Sequence, residues 1–312
     1  MHCMQHSNAE NTTVPAWRSA WPCVLAVLAA AALAAGGQSA SEGGKRPDEA
    51  PPDKSGYNLF DPTPRELMRE MSTDRPDQTE SPHTVDAGHF QVEMDFVSAV
   101  IDRDRSGGGD VRTSGWGTSL NLKAGLLNKV DIQFVLAPYV DVRVENRVAN
   151  TVSDAAGFGD LETRVKVNLW GNDGGKTAFA MMPFVKWPLS ESSLRNGETE
   201  GGMIFILGYE WPGDWGSAVM MEYDFVSDGA GGYDSELVNS ITFGHDIAGK
   251  LGGYVEFFSV VSGAPDTDWQ GQVDVGFTYG FSDNTQLDFG CNFGVTKSAP
   301  DFNPFVGFSF RF

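Results

Sequence analysis

The chain is short of basic residues, cysteine and histidine, and it has no long apolar run. Against 42 Asp and Glu it carries 22 Lys and Arg, a formal net charge of −20 over 312 residues. That excludes a nucleic-acid face, which needs clustered positive charge, and electrostatic docking on anionic lipid heads. Of three cysteines, Cys3 and Cys23 lie near the start. Cys291 is left with no intramolecular disulfide partner, and no Cys/His spacing suits a metal. No cofactor motif is present. Mean hydropathy is −0.24, which excludes a helical membrane protein. What is plentiful is glycine (37 residues) and aromatic side chains (12%).

The N-terminal residues divide into two stretches. Arg18, the apolar run Val24–Ala35 and the small residues up to Ala40 read as a signal peptide, residues 1–40. Twelve apolar residues, about 18 Å of helix, are too few to cross a bilayer. Cleavage is expected between Ala34 and Ala40. Residues 41–88 then form a pre-barrel segment. Ser41–Lys54 is polar and rich in Pro and Gly, a disordered tether. Thr63 as N-cap, Pro64 at the first helical position and Glu66 completing a capping box predict one short helix ending before Asp74. This segment is expected on the periplasmic side, folding against or into a barrel mouth.

From His89 the period changes to two. Phe90, Val92, Met94 and Phe96 alternate with Gln91, Glu93 and Asp95, and the pattern recurs to Phe312. Strict alternation puts one face in oil and the other in water. Twelve strands begin near residues 89, 112, 130, 160, 176, 202, 215, 233, 251, 267, 285 and 302. Most reach the ~9–11 residues that a tilted strand needs to cross the hydrocarbon. Connections after even strands are short, as at Leu127-Asn128-Lys129 and Ala248-Gly249-Lys250. Those after odd strands are longer and polar, as at Glu145–Gly157 and Ser190–Glu200. Tyr209, Trp211 and Trp215 mark one interface; Trp187 and Trp269 mark the other. The fold expected is all-β: an antiparallel up-and-down transmembrane barrel over residues 89–312, in the bacterial outer membrane, with both barrel ends periplasmic.

Parity turns a set of charges inward: Glu93, Asp95, Asp131, Glu162, Glu210, Glu222, Asp224, Glu236, Glu256, Asp274 and Asp288, against Lys123, Arg164, Lys166, Lys186 and Arg311. Each would be costly on a lipid face. Inside, the surplus acid either attracts cations or belongs to an ion-pair network that fills the lumen. Glu162, Arg164 and Lys166 are placed to meet Asp131 and Lys186. Glu222, Asp224 and Asp274 lie away from the basic cluster and are expected unpaired. Tyr139, Phe184, Tyr254 and Phe258 also point inward, as packing or as a path for aromatic or amphipathic solutes. Catalysis is not expected. His83, His89 and His245 are the only histidines beyond the leader; all are placed on the periplasmic side, His245 toward lipid, and none reaches the outer rim where a His beside a Ser or an acid would meet substrate. The function expected is passive diffusion of small solutes. The alternative is a non-transporting barrel that anchors a partner-binding periplasmic segment.

Two resemblances add to this reading. Val306, Phe308, Phe310 and terminal Phe312 resemble the C-terminal signal of bacterial outer-membrane proteins. That implies the barrel-assembly machinery as partner, alongside outer-membrane lipids. The stretches Asp74–Pro82, Gly88–Glu93, Gly157–Glu162, Lys166 and Pro183–Pro188 resemble the transporter-like outer-membrane family named for the meta-cleavage pathway of phenol degradation. The resemblance covers residues 74–312. It implies an outer-membrane channel for a small-molecule solute, with no catalytic motif. Phenol is not carried over as a substrate.

Deleting Phe312, or replacing it with Asp, is expected to reduce assembled barrel several-fold. Heat-modifiable mobility on gels measures this, and wild-type levels would refute the role given to the C-terminal aromatic.

Overall fold

The computed structural model describes residues 52–312 except 106–107, 192, 195–196 and 266. The expected signal peptide and the first part of the tether lie outside the described residues. Thirteen strands form one antiparallel sheet. They are β1 (Phe90–Asp104), β2 (Val111–Leu127), β3 (Val130–Asn146), β4 (Thr151–Gly157), β5 (Leu161–Trp170), β6 (Thr177–Trp187), β7 (Glu200–Trp211), β8 (Trp215–Ser227), β9 (Tyr233–Ala248), β10 (Leu251–Ser262), β11 (Gln270–Ser282), β12 (Thr285–Gly294) and β13 (Phe302–Arg311). Twelve of them close into a ring. β13 pairs with β1, with Gln91 opposite Arg311 and Met94 opposite Phe308. Phe90 and Phe312 exchange both backbone bonds across the seam, at 3.0 and 2.9 Å. No described helix is long and apolar enough to cross a membrane.

The thirteenth strand, β4, lies within the connection Glu145–Gly157, for which the sequence pattern predicts loop. β3 outruns the barrel wall and pairs twice: residues 130–136 with β5, and residues 140–146 with β4. β4 therefore makes a hairpin that extends the wall beyond the rim. Its side chains are mostly exposed on both faces, so it lacks the half-buried stripe from which strands are recognised.

The protein is apolar outside and polar within. Phe134, Val185, Phe225, Phe257, Phe277, Phe289 and Val306 are among the exposed large hydrophobics. Lys166, Gln91, Gln133, Glu93, Glu256, Asn168 and Asp131 are among the largest fully buried side chains. This inversion suits a barrel set in lipid. Outer rings pack between neighbouring strands, stacked in Phe96–Phe308 and edge-on in Trp215–His245.

One inward assignment fails. Tyr139 packs on Trp116, with ring centroids 5.1 Å apart, and both rings are exposed. The β2–β3 register slips between Thr118 and Leu120. That bulge reverses parity beyond it, so Tyr139 faces outward.

Residues 52–88 enter the barrel from the short-turn end. The small helix is a single 3-10 turn, Arg65–Leu67, rather than the capped helix expected. Pro64 takes the N-cap position and no side chain caps it. Met68 is already extended, because Arg69 is drawn to the turns after β2 and β5. Its guanidinium reaches Asn128 at 2.8 Å and Asp173 at 2.9 Å. Lys54, assigned by composition to the tether, is 4% exposed and pairs with Asp173 at 2.6 Å. Burial pushes the Asp173 carboxyl up, but bonds from Lys54 and Asn128 and the charge of Arg69 hold it below the ordinary aspartate range. Its contribution is therefore complete above the ordinary aspartate value and is lost only as pH falls through the lower one.

The strand β2 makes room for the segment at Gly125. A Cβ there would fall on the Asp86 carbonyl, and Gly88 donates to the Gly125 carbonyl at 2.8 Å. Gly125→Val is expected to unseat residues 85–88, at about 1–3 kcal/mol of overpacking. Limited proteolysis should then cut between residues 52 and 88 faster than in the wild type; equal rates would show that the close approach does not hold the segment.

Candidate functional site in the barrel lumen

Inside the barrel the segment from Ser72 to Val85 runs without helix or strand. A buried chain in that state has backbone N–H groups that only its surroundings can satisfy. The inward carboxylates do this. Glu93 accepts from the Asp74 amide at 3.0 Å, and Glu256 from the Gln78 and Thr79 amides at 2.8 Å each. Asp131 accepts from the Val85 amide at 3.0 Å. The Asn172 side chain accepts from the Thr84 amide at 3.1 Å. Part of the acid surplus read from the sequence is thus engaged by the chain's own backbone.

Charges on the segment meet charges on the wall. Asp74 sits between Lys123 and Lys166, the latter at 2.6 Å, and Lys123 also pairs with Glu93. All four are buried. Arg75 bridges Asp95 at 2.7 Å and Asp288 at 2.6 Å, with its guanidinium 5.6 Å from the centre of the Phe305 ring. A Cβ at Gly307 would overlap that guanidinium. Arg164 pairs with Glu80 of the segment and with Glu162 of its own strand. At the short-turn end Arg311 lies 3.4 Å from Asp86 and donates to the Arg69 carbonyl at 2.9 Å.

The sequence-predicted pairs are therefore partly redirected. Asp131 does lie opposite Lys166, and Glu162 opposite Lys186. Yet the Lys166 ammonium goes to Asp74, and Lys186 goes to Glu200. Asp274, expected unpaired, accepts from the Gln78 side-chain amide at 2.8 Å. Glu222, Asp224 and Glu236 are different. They lie in one inward patch on β8 and β9, with Asp224 opposite Glu236, and none forms an ion pair among the described residues. The remaining acid surplus is concentrated there. The Glu210 side chain lies near the short turns, lining a cavity.

Phe184 and Phe258 point inward as expected. They pack, with Val260, against Met182, Ile204, Met220 and Val238, a small apolar wall inside a polar lumen. Tyr254 also points inward, its hydroxyl 3.4 Å from the Pro76 carbonyl. Sequence reasoning missed Asp74, Arg75, Gln78, Thr79 and Glu80 as lumen residues. Their polarity resembled that of a solvated linker, and the period-two signal begins only at His89.

Asp74→Asn is expected to remove the one carboxylate that pairs with both Lys123 and Lys166. Removing one partner from buried pairs costs about 3–5 kcal/mol. Urea unfolding in detergent and protease release of the segment should both register the loss; unchanged behaviour in both would mean that the triad does not hold the segment.

Comparison with known proteins places this geometry. None of the curated proteins matches the sequence. Among solved structures, an outer membrane channel from Pseudomonas putida F1 superimposes with a TM-score of 0.58 at 12% identity. The match covers 77% of this chain and 100% of that one. The NanC porin gives 0.49 at 10% identity, over 71% and 98%. The first likeness supports the fold; the second is too loose to add to it. A family model matches residues 73–312, from just inside the luminal segment to the last strand. The chain belongs to the family described as the putative MetA pathway of phenol degradation.

Proposed function

We propose that the chain is an outer-membrane channel for passive diffusion of small solutes, narrowed by residues 52–88 as a plug. The observation that carries this reading is the polar, charged lumen of a barrel whose outer face is apolar. The plug is held there by hydrogen bonds and ion pairs rather than by a greasy core. Polar contacts of this kind can exchange for water at modest net cost, whereas an apolar core cannot. The short-turn end, where the plug enters, faces the periplasm in this reading, and the long loops face outward.

The unpaired acids Glu222, Asp224 and Glu236 give the outer half a preference for cations. The apolar wall of Phe184, Phe258 and Val260 suits solutes with an aromatic or aliphatic body. Catalysis has no place in this reading. His245 packs against Trp215 on the outer face, and His89 bonds the Thr63 carbonyl at 2.7 Å. Lipids of the outer membrane and the barrel-assembly machinery are the proposed partners. The second reading, a barrel that anchors the segment and transports nothing, is favoured by how fully the segment is bonded.

Planar-bilayer recording separates the two. The full mature chain should conduct weakly, and a chain starting at His83 should conduct several-fold more. Both should prefer cations, less so at high salt. Glu222→Gln with Asp224→Asn should move the reversal potential toward zero. Silence from both lengths would leave the anchor reading.

A further inference from the structure

The plug is fastened unevenly. Its ion pairs run to β1, β2, β5, β12 and β13 and to Asp173 in the turn after β5. Toward β8 and β9 it makes one hydroxyl contact, Thr79 to Ser240 at 2.6 Å, and one amide-to-sulfur contact, Glu80 to Met220 at 3.5 Å. Beside it, in the short-turn half, lies a cavity of about 410 Å³. A second of about 650 Å³ opens at the barrel mouth, and the two meet at Asp246, Gly252 and Thr278.

The wall of this space is built from very small residues, and packing accounts for some of them: a Cβ would meet Pro82 at Gly208 and the Thr278 hydroxyl at Gly252. At Gly125 and Gly307 an added Cβ would strike the plug. At Gly216 it would meet nothing within 4 Å. At Gly244 it would meet only the Gly253 carbonyl, at 3.8 Å, and at Gly280 only the Ser282 carbonyl, at 3.9 Å. These three need no positive φ either. A strand glycine costs about 0.5–1 kcal/mol relative to alanine. A strand glycine marks a bulge, a bend or a close approach; Gly280 borders a bulge, whereas Gly216 and Gly244 sit in unbroken register, which leaves a close approach as their reason.

The cavity is also polar. Thr242 lines it, is 8% exposed, and its hydroxyl has no hydrogen-bond partner in the protein. Asp77, which lines the same cavity, is the acid beside it. A polar space of this size can admit water, since its volume far exceeds the ~10–15 Å³ that one water needs. Asp77, Glu80, Glu210 and Asp246 outnumber Lys176 around it.

We infer that water, cations and small polar solutes pass along the Gly216–Gly244–Gly280 wall while the plug stays seated. The inference rests on the channel reading and names the route through it.

The test uses the full mature chain with Cys291→Ser. Thr79→Cys with Ser240→Cys places two thiols where two hydroxyls touch, so that oxidation pins the plug. The pinned channel is expected to keep the conductance of its reduced form. In separate chains, Gly216→Trp and Gly244→Trp should each lower conductance several-fold, and Gly216→Ala should change it little. Should a tryptophan variant fail to assemble, Gly216→Cys modified after folding by a bulky methanethiosulfonate gives the same readout. Conductance lost on oxidation and restored by reductant would overturn the inference, because the plug would then have to leave. Unaltered conductance after blocking at both glycines would overturn it as well. A silent full chain beside a conducting chain from His83 defeats the side route and spares the channel; silence in both defeats both.

Discussion

A polypeptide without helix or strand cannot lie inside a protein unless each of its amides finds an acceptor. The lumen is organised around that requirement. Glu93, Asp131, Glu256 and Asn172 stand where the amides of Asp74, Val85, Gln78, Thr79 and Thr84 arrive. Carboxylates are suited to the task, since one oxygen can take an amide while the other takes a cation, as Glu93 does with Asp74 and Lys123. The charge of the wall and the irregular course of the segment are two sides of one fit.

That fit explains why the segment and the barrel form one compact unit. Without the segment, Lys123, Lys166 and Asp288 would face each other or water in a narrow ring. Without the barrel, Asp74 and Arg75 would be ordinary solvated residues. Glycine marks the same economy of space. Gly125 and Gly307 are absent side chains at places the segment occupies, while on the opposite wall the absent side chains at Gly216 and Gly244 leave open space.

Much of the barrel was legible because lipid imposes a one-dimensional rule. Phe90, Val92, Met94 and their successors had to alternate with polar neighbours, so strand starts near 130, 215, 233, 251, 285 and 302 coincide with those in the structure. β4 escaped because it stands clear of the barrel wall, where no rule of alternation acts. Tyr139 was misassigned because a bulge is one residue wide and leaves no mark in a period-two pattern. The role of Asp74, Arg75 and Glu80 was not legible at all. A residue that pairs with a partner across a lumen carries no local periodicity, and polarity alone reads as solvent.

The hairpin that continues β3 past the rim carries a further consequence. β4 ends the sheet, bonded to β3 on one side and to no other strand among the described residues on the other. Its outer edge presents free peptide groups, a template onto which a strand of another chain can be added. Seven residues is short for such a template, and Arg143 and Asp154 form an exposed charged pair across the hairpin, at 3.0 Å. Shortness and charge are the devices that keep sheet edges from recruiting copies of themselves, so the rim can extend the wall without joining one barrel to the next.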